Sequence, residues 1–235
     1  MEILKSDFLA RLRRLDPKGK FISVFGPVVE KLLGSWVPVN NGLEPVTVTF
    51  AIGGAGAQVD IGQEIALSLK QGILDGNIKL NIVTGLNRTI ERYFLYYLQK
   101  IGLSSNGSNG IAVICEDDKF AYFERFNKLL RATDILWTKP SELSFYSALG
   151  IPIVMAPSLG AQEEKNRKWL MDKSCALPQY TPSYAAEWLR DMLVDGILAE
   201  KALNGFLKNR KLGVYKIEEV LKTGTMQRES HPLKR

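Results

Sequence analysis

Apolar positions along this chain alternate between two rhythms. Short continuous apolar runs occupy Val46–Ile52, Ile78–Thr84, Ile111–Cys115, Ile135–Trp137 and Ile153–Met155. Stretches with helical spacing separate them, at Asp60–Gln71, Arg88–Ile101 and Phe120–Arg131, with another opening at Ser141-Glu142. Runs of this length, apolar on both faces and regularly separated by helices, are what buried parallel strands require. The expected fold is α/β: a doubly wound, mostly parallel sheet with helices on both faces. Further helices are expected near Ser183–Leu193, Ile197–Leu207 and Val214–Leu221, with Pro178–Pro182 as a loop.

The flanks are less regular. Leu4, Phe8, Leu12 and Leu15 recur at helical spacing, with Lys5, Arg11, Arg13 and Arg14 largely elsewhere, so residues 3–15 form an amphipathic helix with a basic side. Such a helix docks on a core or lies on a membrane surface, and the first is the plainer reading. Residues 21–37 are compatible with a strand and a short helix. Asn40–Pro45 is a turn or linker. The expected organisation is therefore 1–45 as helix and linker, 46–207 as the α/β domain and 208–235 as a basic tail.

Loops that follow parallel strands lie along one edge of the sheet, where open α/β folds bind ligands. Here they carry Gly53–Gln58, with Gly54, Ala55, Gly56 and Ala57 at its centre, then Gly85-Leu86-Asn87, Glu116–Asp118, Thr138–Glu142 and Ser158–Asn166. The glycine-rich stretch runs from strand into helix, which lets backbone N–H groups approach a phosphate or simply makes a tight turn. It lacks the full GxGxxG spacing and a Walker lysine. Thr138, Lys139, Ser141 and Glu142 form a polar turn at a helix start, and a following loop is expected to deliver Gln162, Glu163 and Asn166. The three carboxylates at Glu116–Asp118 read as a helix cap with solvated charges.

Composition narrows the chemistry. Of 235 residues, 46% are apolar and 24% charged, ordinary for a soluble protein with a sizeable core. The net charge of +6 sits at the ends: residues 1–20 hold 6 Lys/Arg against 3 acids, and residues 206–235 hold 8 against 3. The middle is therefore slightly acidic, and nucleic-acid binding by the core is not expected. Two cysteines and one histidine, His231, supply neither a disulfide framework nor a metal site. No metal or cofactor is expected. No run approaches the ~18 apolar residues of a membrane span, and a cytoplasmic protein, peripheral to the membrane at most, is the default.

The stretch Thr133–Asn166, TDILWTKPSELSFYSALGIPIVMAPSLGAQEEKN, carries a resemblance. It is similar to the C-terminal half of GT-B glycosyltransferases, in particular the peptidoglycan N-acetylglucosaminyltransferase and the diacylglycerol glycosyltransferases. Asp134, Thr138, Lys139, Pro140, Leu143, Ala148, Gly150, Pro152, Pro157, Gln162, Glu163, Glu164 and Asn166 stand in matching positions. The resemblance extends over about 46–205, including the glycine-rich loop and Asn87 of a Gly-x-Asn. It implies one half of a GT-B fold with a UDP-sugar bound along that edge: diphosphate on Gly54–Ala57 and beside Ser141, ribose and sugar near Ser147, Gln162 and Glu163. Three departures bear on chemistry. The family's Gly-Gly is Ser141-Glu142, its ribose-binding Glu falls on Ser147, and the Gly of its GQE is Ala161. The acceptor half, which in the family usually supplies the general base, is missing, so an acceptor-binding domain or partner subunit is expected and no catalytic residue is assigned. A lipid-linked acceptor would fit weak attraction to membrane surfaces. The alternative is a non-catalytic relative that keeps the fold for interaction or for another ligand.

Overall fold

The computed structural model describes residues 2–34, 44–52, 56, 58–105, 110–141, 143–158, 160–226 and 229. Two helices come first, α1 (Glu2–Leu15) and α2 (Lys20–Leu33). The alternating core follows as β1 (Val46–Ala51), α3 (Val59–Leu74), β2 (Ile78–Gly85), α4 (Arg88–Lys100), β3 (Ile111–Cys115), α5 (Lys119–Ala132), β4 (Ile135–Thr138), α6 (Leu143–Ala148), β5 (Ile153–Met155), α7 (Ala161–Asp172) and β6 (Ala176–Pro178). A 3₁₀ turn at Pro182–Tyr184 leads into α8 (Ala185–Val194), α9 (Ile197–Lys208) and α10 (Gly213–Thr223).

The six strands form one sheet in the order β3-β2-β1-β4-β5-β6, and every pairing is parallel. The expected α/β architecture is therefore the observed one. Side chains divide by the period of two. Val48, Phe50, Leu80, Ile82 and Trp137 join the main core, where Phe50 and Trp137 meet edge to face and Trp137 meets Trp188 of α8. Val83, Ile114 and Leu136 pack on the other face with Phe126 and Leu130 of α5. A third cluster sets Ile153 and Met155 under Leu170 of α7.

Three expectations change. Residues 20–33 are one helix and hold no strand; residues 35–37 lie outside the described residues. Asp16 accepts hydrogen bonds from the N–H groups of Phe21 and Ile22, at 3.0 and 2.9 Å, and starts that helix. Pro27 is tolerated inside it because Pro27 and Ser23, whose carbonyl loses its partner, are both exposed. The expected loop at Pro178 instead begins with the end of β6, an edge strand where a proline costs no ladder bond on its open side.

The third change concerns α1. Phe8, Leu12 and Leu15 are fully buried as expected, and Phe8 stacks on Phe206 of α9. Arg11 is buried with them. Its guanidinium donates to the carbonyls of Thr133 (2.7 Å), Leu149 (2.9 Å) and Leu130 (3.2 Å). Those carbonyls close α5 and follow α6, so one cation satisfies orphan acceptors at two helix C-termini. Arg14 grips Asp134 with both carboxylate oxygens at 2.9 Å, and Asp134 also accepts from the N–H of Thr47. Much of the helix's basic side thus faces the amino-terminal edge of the sheet, and α1 and α2 share the main core.

Candidate functional site

The strand order reverses between β1 and β4, whose carboxyl ends lie side by side. This is the switch point at which open parallel sheets bind ligands. Thr138 joins the two strands there, donating its hydroxyl to the carbonyl of Ala51 at 3.1 Å. Beyond Thr138 the chain turns through Lys139, Pro140 and Ser141. Ser141 N–H donates to the carbonyl of Lys139 at 2.8 Å, closing the turn tightly.

The turn is held by α7. Asn166 donates from its amide to the carbonyls of Pro140 (3.2 Å) and Ser141 (2.9 Å). Lys139 and Glu163 form an ion pair at 2.9 Å, with side chains 26% and 15% exposed, so both retain some access to solvent. Gln162 is exposed in the first turn of α7. The expected loop delivery of these three side chains is corrected: they belong to a helix that starts at Ala161 after Gly160. Good helix formers, with Glu163 and Glu164 in the first turn, favour that start. The helical spacing puts Glu163 and Asn166 on one side, toward the turn. Ser141, Leu143, Ser144, Asn166, Trp169 and Leu170 line a pocket of about 240 Å³ between α6 and α7.

Other candidates fall elsewhere. Gly54, Ala55, Ala57 and Glu142 lie outside the described residues. Gly56 has φ +69°, a left-handed backbone that favours glycine, and its nearest neighbour is the movable end of Ile90 in α4. Asn87 caps α4, accepting from the N–H of Ile90 at 3.1 Å. Ser147 is fully buried in the last turn of α6, where its hydroxyl donates to the carbonyl of Ser144 at 3.0 Å and accepts from Asn209 at 2.7 Å. It is not brought to the turn. Asp118 caps α5 as expected, while Glu116 pairs with Arg125 and Asp117 with Arg88.

Two side chains at this edge escaped the sequence reading. Gln58 stands at the head of α3, 3% exposed, with neither amide atom hydrogen-bonded. Ser158, beyond β5, has an enclosed hydroxyl that is also without a partner. The one signal available in sequence was a glutamine ending a glycine-rich loop. Among the described residues, no group of three or more His, Cys, Asp or Glu is placed to hold a metal ion.

The fold and the placement of this edge define a Rossmann-like half of the GT-B type, and the chain resembles the C-terminal half of GT-B glycosyltransferases. By sequence it belongs to the family described as "Domain of unknown function (DUF6938)", whose model matches residues 94–219, more than half of the chain. It is 29% identical over 92 residues to the processive diacylglycerol beta-glucosyltransferase of Bacillus licheniformis, a match covering 38% of this chain and 23% of that protein. In structure it is similar to a Listeria monocytogenes protein assigned as a UDP-N-acetylglucosamine 2-epimerase, with TM-score 0.50 and 12% identity, over 77% of this chain and 45% of that one. It is also similar to WaaG, a glycosyltransferase involved in lipopolysaccharide biosynthesis, with TM-score 0.48 and 18% identity, over 79% and 49%. The chain thus spans less than half the length of the relatives it matches. No described helix is long and apolar enough to cross a membrane.

Proposed function

We propose that this chain is the donor-binding half of a glycosyltransferase, taking a UDP-sugar at the carboxyl edge of the sheet. An acceptor-binding half is supplied by another domain or subunit. The observation that carries the reading is the β1/β4 switch point, joined through Thr138 and continued into a turn that Asn166 and Glu163 hold against α7. In this reading the diphosphate lies over Gly54–Ala57 and beside Ser141, and Lys139, partly exposed, faces a phosphate oxygen. Gln162 and Glu163 lie toward the sugar. Backbone N–H groups stabilise the leaving diphosphate electrostatically, so inverting transfer needs no metal. The diacylglycerol glucosyltransferase relative supports a glucosyl donor and a lipid or glycan acceptor. A lipid acceptor agrees with weak, salt-sensitive attraction to anionic membranes.

Titration calorimetry with UDP, UDP-glucose and UDP-N-acetylglucosamine tests this. Binding of at least one is expected, and none of them binding overturns it. Lys139→Met is expected to weaken UDP about tenfold, or ~1.4 kcal/mol. The chain alone is expected to transfer no sugar, because donor and acceptor meet between two halves. A second reading, a non-catalytic interaction module, draws on Ser147: the position that carries the ribose-binding carboxylate in the resembling family is a buried serine bonded within the fold.

A further inference from the structure

Gln58 and Ser158 follow β1 and β5, the strands that flank β4 in the sheet, so they stand on either side of the Thr138 turn. Buried polar groups are nearly always hydrogen-bonded, and one left unpaired weakens the fold. Here the nitrogen and oxygen of the Gln58 amide and the oxygen of Ser158 are enclosed and unpaired at the same edge. Gln58 also makes no side-chain cap to α3, so it does not serve the helix whose head it occupies. An amide with no partner loses no hydrogen bond when it turns toward a ligand. We infer that Gln58, with Ser158 as its counterpart across β4, is a ligand-binding residue for the vicinal hydroxyls of a sugar ring.

The chemistry selects hydroxyls over phosphate. A carboxamide offers one donor group and one acceptor, and a serine hydroxyl offers both, matching a diol whose oxygens each give and accept. Neither group carries charge, and exposed Asp60 in the first turn of α3 already places a negative charge there. Ser147 offers no such group, since it is buried and bonded to Ser144 and Asn209. The inference rests on the donor-binding reading and adds the residues that would hold the ring. That ring is either the ribose of the nucleotide or the transferred hexose.

The test uses Gln58→Met, which keeps the shape and removes both polar atoms, with Ser158→Ala beside it. Thermal melts without ligand and calorimetric titrations with UDP and UDP-glucose are run on each variant. Gln58→Met is expected to melt no lower than wild type and to bind UDP-glucose at least tenfold more weakly; Ser158→Ala is expected to lose a few-fold. Equal losses for UDP and UDP-glucose assign the ribose, and a loss for UDP-glucose alone assigns the hexose. Unchanged affinity for both in Gln58→Met overturns the inference and leaves the donor-binding reading standing. A Gln58→Met that melts below wild type also overturns it, because the amide is then structural. Wild type that binds neither nucleotide removes both readings together.

Discussion

Arg11 shows how a residue can be correctly spaced and still misjudged. It lies three positions after Phe8 and four before Leu15, on the stripe that those residues and Leu12 define. Its charge assigns it to the basic side of the helix in the sequence, yet it is buried with the stripe. The carbonyls that receive it lie 119 or more residues away and cannot be read from local pattern. Burial lowers its pKa to about 10, which leaves it charged at neutral pH. Lysine cannot reproduce the planar fork. Arg11→Lys is expected to lose about 2–4 kcal/mol in denaturant unfolding, since carbonyls at two helix ends lose their donor. Gly205 is a comparable case: a Cβ there would lie 2.4 Å from the backbone oxygen of Ser147. Gly205→Ala is expected to cost about 1–3 kcal/mol by forcing α9 away from α6, read as a lower melting midpoint.

At the scale of elements, strands were legible where they were continuous and apolar. Ile111–Cys115 and Ile153–Met155 have the expected bounds, and β1, β2 and β4 differ by one residue at their ends. β6 was not legible because three residues ending in proline give no period. Of the site, the Thr138–Ser141 turn and its proximity to Glu163 and Asn166 were legible. The burial of Ser147 was not, because Asn209, its partner, belongs to the far end of α9. Among the described α-helices, α10 has no buried residue: Val214, Ile217 and Leu221, at i, i+3 and i+7, are 77%, 64% and 81% exposed. If the proposed lipid acceptor draws the chain to a membrane, α10 is the element expected to meet it, and α1, with Arg11 buried and Arg14 paired, is poorly placed for it. Co-sedimentation with anionic vesicles at low salt is expected, reduced by Ile217→Asp together with Leu221→Asp and absent at high salt. Equal sedimentation with neutral vesicles would count against it.

Over the whole molecule the two edges of the sheet have separate work. The amino edge is sealed by α1 through Arg11, Arg14 and Asp134. The carboxyl edge keeps the turn, the pocket and the unpaired amide. Phe8, Leu12 and Leu15 are each fully buried, and at about 1.5–3 kcal/mol apiece their loss rivals the whole stability of a typical domain. Deleting residues 2–15 is expected to abolish a cooperative melt. The long reach of α1 also has a consequence on the ribosome. The carbonyls that receive Arg11 are made 119–139 residues after it, and Phe206 later still. At ~5–20 residues per second, the helix waits roughly 6–40 s for its partners. Throughout that interval a basic, apolar-striped segment waits on the nascent chain without the partners that bury it.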